Sequence, residues 1–210
     1  MVFAMATRRS VLIAASALSI GLGLAAPSSS RAETNEQVTG FVDKLCRDLL
    51  GVVNGAGSLP EKQVRLTQII DASVDVQGVA QFCLGRFWRT ATPSQQKDYL
   101  ALFHQMLVRN LTGKLGDFQG VTYSLGQTQP KDGAVAVGSV VTRPNAAPAN
   151  VQWLVAPIGG SLKVTDVIAE GTSLRLTQRS DFASFLSSHG DNVQALIDAL
   201  RQQQSRPSST

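Results

Sequence analysis

Histidine, cysteine and aromatic residues are scarce in this 210-residue chain, which has two His, two Cys, two Trp, two Tyr and 6% aromatic residues overall. His104 and His189 have no partners at metal-ligand spacing, so no metal motif is present. Two cysteines are too few for a disulfide-built scaffold. Charge is sparse as well, at 16% of residues. The formal net charge of +4 is local: Arg8, Arg9 and Arg31 lie in the first 32 residues, where there is no acidic residue. Setting those three aside leaves 16 of the 19 basic residues against 15 acidic ones. A nearly neutral body without a basic block offers no electrostatic footprint for nucleic acid. Gly-x-Ser-x-Gly elbows, phosphate-binding glycine loops and internal repeats are missing too. What remains is a 43% apolar chain with 18 glycines, ordinary for one globular domain with a core of its own.

The first 32 residues read as a leader. Arg8-Arg9 precedes an apolar run from Val11 to Ala26, then Pro27 and a serine cluster, with Ser30 and Ala32 as small residues ahead of a cleavage point at Glu33. The run falls short of the roughly 20 residues of a membrane span. A retained anchor is the alternative. Thr7-Arg8-Arg9-Ser10-Val11-Leu12 resembles a twin-arginine signal, with Val11 and Ile13 departing from it, so export by the Sec or the Tat route stays open. No cysteine follows at a lipoprotein position. The expected organisation is a cleaved signal over 1–32, a single domain over 33–203 and a polar, disordered tail over 204–210.

The mature chain changes style along its length. Thr34 with Gln37 opens a helical pattern through Val38, Phe41, Val42, Leu45 and Leu49, which the glycines from Gly51 to Gly57 interrupt. Ser58, Pro60 and Glu61 start a second helix, and Asp75 caps a short one that ends at Gly85. Thr92-Pro93-Ser94-Gln95 starts a fourth. From Phe118 to Leu125, Ala134 to Thr142, Val151 to Ala156 and Leu162 to Ala169 the composition and period predict strands, with hairpin turns at Asp132-Gly133 and Gly159-Gly160. Helices resume at Asp181, break at Gly190 and restart at Val193. This order predicts an α+β fold: an antiparallel meander with helices packed on one side and an apolar cavity between them.

Catalytic chemistry has thin support. His104 lies among apolar neighbours on a helix, His189 lies at a helix end, and Asp71 and Asp75 read as capping residues. The helix after Pro93 is the conspicuous feature: eight of ten residues from Tyr99 to Val108 are apolar, wider than the stripe a surface helix needs. Either it is a central core helix, or one flank faces the sheet while the other lines a cavity with Phe87 and Trp88 at the rim. An apolar lining suits an aliphatic ligand.

Leu84-Gly85-Arg86-Phe87-Trp88-Arg89-Thr90-Ala91-Thr92, with Gln95-Gln96 and Phe103, resembles the hallmark segment of MlaC-type periplasmic proteins, the toluene-tolerance family. Leu162 to Leu174, then Arg179-Ser180-Asp181-Phe182 and Gly190-Asp191 through Leu200, match in order. The resemblance covers about residues 35 to 203. Thr165 and Thr172-Ser173 depart from the family pattern, and Cys46 and Cys83 look private to this chain.

The resemblance implies a carrier and not an enzyme, with no cofactor and no metal. Such proteins hold a phospholipid by its acyl chains and shuttle it across the periplasm, as monomers, between an outer-membrane lipoprotein–porin complex and an inner-membrane ABC transporter bearing an MCE-domain protein, maintaining outer-membrane asymmetry. A hopanoid-associated or other apolar-ligand carrier of the same family, a small exported enzyme on a cone-shaped α+β fold using His104, and a non-lipid envelope module are the alternatives. On the carrier reading the acyl chains touch Phe82, Phe87, Trp88, Phe103, Met106, Leu107 and Leu111, with Tyr123, Val137, Val140, Trp153 and Val164 as the opposite wall. Asp166, mid-strand, needs a partner, and Arg179 is expected to supply it, with Arg86 second. Cys46 and Cys83 are either bridged or two buried thiols.

Overall fold

Side-chain caps fix most of the helix starts. The computed structural model describes residues 29–205 apart from residue 145; the expected leader up to residue 28 and the tail from 206 lie outside them. The order is α1 (Ser29–Asn54), α2 (Leu59–Ser73), α3 (Val76–Leu84), a 3-10 turn (Gly85–Arg89), α4 (Pro93–Gly113), a second 3-10 turn (Leu115–Phe118), β1 (Thr122–Lys131), β2 (Ala134–Thr142), β3 (Ala149–Ile158), β4 (Ser161–Ala169), β5 (Thr172–Ser173), α5 (Leu174–Ser188) and α6 (Val193–Ser205). Ser58 and Glu61 form a capping box on α2, as do Thr92 and Gln95 on α4. The Asp75 carboxylate accepts the Gly78 N–H at 3.0 Å to start α3.

Several boundaries differ from the sequence reading. Helix α1 begins at Ser29, ahead of Thr34, and runs through Gly51 to Asn54. The glycine costs about 1 kcal/mol in a helix, and burial of Val52 and Val53 beyond it outweighs that. Strand β1 starts at Thr122 rather than Phe118, because Phe118 belongs to the 3-10 turn and Gly120 turns the chain at φ 71°. Helix α5 starts at Leu174 rather than Asp181, since the Ser173 hydroxyl accepts the Leu176 N–H and caps it. Helix α6 reaches Ser205, so residues 204 and 205 are helical and not part of a disordered tail.

The five strands form an antiparallel meander in the order β1-β2-β3-β4-β5, confirming the α+β expectation. Both expected hairpin turns are present, with positive φ at Asp132-Gly133 and at Gly159-Gly160. Cross-strand register puts Val137, Trp153 and Val167 in one row and Val135, Val155 and Val164 in the next, on the face covered by α1. Val164 and Val167 are three apart and would point oppositely in a regular strand. A bulge opposite Leu154/Val155 adds one residue to β4 and brings both to the α1 face.

Helix α2 packs between α1 and α4, and the other helices pack largely on one another. Residues of α3, α4, α5 and α6 share a second apolar cluster. It meets the sheet along β4, the strand that touches α2, α3 and α5. There Val74 forms a parallel bridge with Val164, and the Asp75 N–H donates to the Val164 carbonyl at 3.0 Å.

Candidate functional site

The expected apolar residues fall into two groups. Phe82, Phe87, Trp88, Phe103, Met106 and Leu107 join the helical cluster. Its centre is aromatic: Tyr99, Phe103 and Phe182 contact one another with ring centroids 5.8–6.3 Å apart, and the Tyr99 hydroxyl donates to the Ala80 carbonyl at 2.8 Å. Burial holds the Tyr99 phenol well above its ordinary pKa. Tyr123, Val137, Trp153 and Val164 join the other cluster, against Val38, Val42, Leu45 and Cys46 of α1. Here the Tyr123 hydroxyl donates to Asp43 Oδ1 at 2.8 Å, and the Trp153 Nε1–H donates to Ser139 Oγ at 3.0 Å. The structure thus sets α1, and not α4, opposite the sheet wall. Val140 is not part of that wall: strand alternation turns it to the other face, where it is 38% exposed. Leu111 is exposed at the end of α4 and belongs to neither cluster.

The cysteines are unpaired. Cys46 lies in the sheet cluster and Cys83 in the helical one, both buried. Burial, with the Asp43 charge second, pushes the Cys46 thiol up to about 11, and burial pushes Cys83 up to about 12. Neither is a reactive thiolate at neutral pH.

Asp166 is a buried carboxylate, as expected, at 6% exposure. Its partner is Arg175, whose Nε lies 3.4 Å from Oδ2, an ion pair by distance though outside hydrogen-bond geometry. Asp166 also accepts from the Ser173 hydroxyl at 2.6 Å, the Val167 N–H at 2.8 Å and the Arg175 N–H at 3.2 Å. Arg179, the expected partner, sits one helical turn further on and lies instead over the Phe82 ring, 4.9 Å from its centroid. Arg86 pairs with Asp191 at 3.3 Å. The sequence reading missed Arg175 because it began α5 at Asp181. An earlier start would have shown Arg175 and Arg179 as an i, i+4 pair on one face.

A groove of about 740 Å³ lies between α2, α4 and the end of α6, lined by His104, Val108, Arg109 and Gln204 among others. Nε2 of His104, one of its lining residues, is 2.7 Å from Asp71 Oδ1, a contact that ties α4 to α2. The Lys163 ammonium donates to the Asp71 and Ala72 carbonyls and ties the same helix end to β4. Asp71 is therefore a bridging residue rather than a cap. Among the described residues, no three His, Cys, Asp or Glu side chains are placed to hold a metal ion, and no helix is long and apolar enough to cross a membrane.

The MlaC protein family model matches residues 41–202. The chain belongs to the MlaC family. Among its relatives is the toluene tolerance protein ttg2D of Pseudomonas putida, 28% identical over 135 residues, a stretch that makes up 63% of this chain and 63% of the relative. The chain thus spans less than two thirds of that curated relative's length. Among solved structures, a phospholipid-binding protein from Ralstonia solanacearum, determined in complex with a phospholipid, is similar with a TM-score of 0.66 and 26% identity. The match covers 78% of this chain and 94% of that one. For this MlaC-family chain, Leu84, Phe87 and Ala91 of the first matched segment lie in the helical cluster, and the second segment, Leu162 to Leu174, runs through β4 and β5 to the start of α5.

Proposed function

We propose that this protein is a phospholipid carrier of the periplasm, which holds its cargo by the acyl chains and performs no chemistry of its own. The observation that carries the reading is the likeness to the Ralstonia phospholipid complex over 94% of that chain. The two apolar clusters support it. They meet along β4, and acyl chains entering there would lie between Phe82, Phe87, Trp88, Phe103, Met106 and Leu107 on the helical side and Tyr123, Val137, Trp153 and Val164 on the sheet side. Lipid uptake on this reading parts the two clusters around the Val74–Val164 bridge. Each methylene kept from water is worth about 0.8 kcal/mol, so such a shelter removes the principal barrier to moving a lipid through an aqueous space. The N-terminal leader pattern supports export, and family membership supports exchange between an outer-membrane lipoprotein–porin complex and an inner-membrane ABC transporter with an MCE-domain protein.

Mass spectrometry of solvent extracts from gently purified protein tests the reading. Phospholipid near one molecule per chain is expected, and protein free of phospholipid refutes it. Met106→Glu, placing a charge where chains should pass, is expected to purify folded by circular dichroism with little lipid. Gln129→Glu, on the exposed edge of β1, keeps its lipid. Retention by the folded Met106→Glu protein would move the acyl chains elsewhere.

A further inference from the structure

Two guanidinium groups share one aromatic ring. Arg175 and Arg179, one turn apart on α5, lie over Phe82 at 4.6 and 4.9 Å from its centroid. Their surroundings differ. Arg175 has Asp166 for a counter-charge. The Arg179 guanidinium meets no carboxylate and makes no hydrogen bond among the described residues. The next cation, Arg86, is already engaged by Asp191 and stacked on Phe87 at 4.7 Å.

The unpaired group is nonetheless held in place. Gly85 sits against it with φ 61°, and a Cβ there would come within 3.3 Å of Arg179 Nε and 3.4 Å of Nη2. The guanidinium therefore rests between the Phe82 ring and a backbone that only glycine keeps clear. Neither the Phe82 ring nor the Gly85 backbone gives its N–H donors an acceptor. Phe82 itself packs on the helical apolar cluster, and Leu174 and Leu176, at 52% and 55% exposure, flank the same helix start. A positioned, uncompensated guanidinium thus stands at the edge of an apolar interior.

We infer that Arg179, seated on Phe82 beside Arg175, binds a phosphate group, that of a phospholipid whose chains enter the apolar cluster beneath. The inference rests on the carrier reading for the chains, while the phosphate site rests on the arginine geometry. A planar guanidinium offers two parallel N–H donors to a phosphate, and Arg175 adds to the local positive field although Asp166 partly offsets it. Inorganic phosphate offers the same chemistry, so the experiment has to separate the two sources.

Delipidated full-chain protein is titrated with 1-palmitoyl-glycerol-3-phosphate and with 1-palmitoyl-glycerol, which share the chain and differ in the phosphate. Loss of a charge-assisted hydrogen-bonded contact predicts that Arg179→Gln weakens the phosphate-bearing probe about tenfold or more, while 1-palmitoyl-glycerol changes less than about twofold. Arg179→Lys, keeping the charge and losing the fork, falls between the two. Equal weakening of both probes would make Arg179 a structural residue, and no weakening of either would leave it without a binding role; each result overturns the inference. If the wild-type protein takes up neither probe, the carrier reading fails. Inorganic phosphate then decides the site alone: binding abolished in Arg179→Gln supports a free-phosphate site, and no binding overturns it.

Discussion

Replacing Asp166 with alanine removes the acceptor for three hydrogen-bond donors and the counter-charge of a fourth group. The Ser173 hydroxyl, the Arg175 N–H and the Val167 N–H lose hydrogen bonds, and the Arg175 guanidinium loses its counter-charge. Breaking a buried ion pair by removing one partner costs about 3–5 kcal/mol. The Arg175 side chain is 26% exposed and stacks on Phe82, so part of its charge relaxes toward water and the cost should fall near the lower end, about 3 kcal/mol. For a domain of this size each kcal/mol shifts Tm by about 2–4 °C, which gives a fall of about 6–12 °C. Asp166→Asn keeps an acceptor oxygen and should lose about half as much. Thermal melts followed by far-UV circular dichroism provide the first measurement. A double-mutant cycle in urea provides the second, with coupling of about 1–2 kcal/mol expected between Asp166 and Arg175 and little between Asp166 and Arg179. A Tm drop under about 2 °C in Asp166→Ala, or equal coupling to both arginines, would refute the assignment of Arg175 as the partner.

The remaining predictions concern stability and ionisation. Thr92→Ala opens the α4 capping box, in which Thr92 Oγ1 accepts the Gln95 N–H at 3.2 Å, and should cost about 1 kcal/mol in urea unfolding; an unchanged midpoint would show that the cap contributes nothing. Tyr99→Phe removes the buried hydrogen bond that the hydroxyl donates to the Ala80 carbonyl and should cost about 1 kcal/mol, measured the same way. Burial keeps both thiols protonated above their ordinary value of 9.0, up to about 11 for Cys46 and 12 for Cys83. The unfolded chain therefore releases these protons first: stability is full below about pH 9 and lost as pH rises toward 11–12. Tyr123, raised by burial and by its bond to Asp43 to about 12, adds to the same alkaline slope from about pH 10 upward. Urea titrations at stepped pH should show the slope flatten in a Cys46→Ala, Cys83→Ala protein. Two thiols should also react with a disulfide reagent in the denatured, unreduced protein.

Local chemistry was legible where a single residue dictates it. Ser58, Asp75 and Thr92 mark helix starts because a side-chain oxygen must meet an orphan N–H, and Asp132-Gly133 and Gly159-Gly160 mark hairpins because the turn requires positive φ. Ser173 gave no such mark: it caps α5 without a Glu or Gln three residues on, so the helix was read seven residues late and Arg175 with it. The apolar side chains of the proposed cargo site could be picked out, but not sorted. Phe103 and Val137 are equally apolar in sequence; that one faces Phe182 while the other faces α1 depends on long-range packing. The one-residue bulge in β4 decides which side Val164 faces, and no propensity announces it.

The order in which the chain visits its two largest apolar clusters has a consequence for how it can be taken apart. Helix α1 and strands β1–β4 build one cluster, while α3–α4 and α5–α6, which flank the strands in sequence, build the other. Neither half is a continuous stretch of polypeptide. A fragment ending before β1 would carry α1 without its sheet and α4 without α5 and α6, and a fragment starting at β1 would carry the complementary pieces. Each would expose apolar faces that the other normally covers. Cut between α4 and β1, the chain should therefore yield no autonomous subdomain, although the two fragments mixed together hold every complementary surface. The interleaved threading makes each half a template for the other, so the protein assembles as a unit even though its interior is divided.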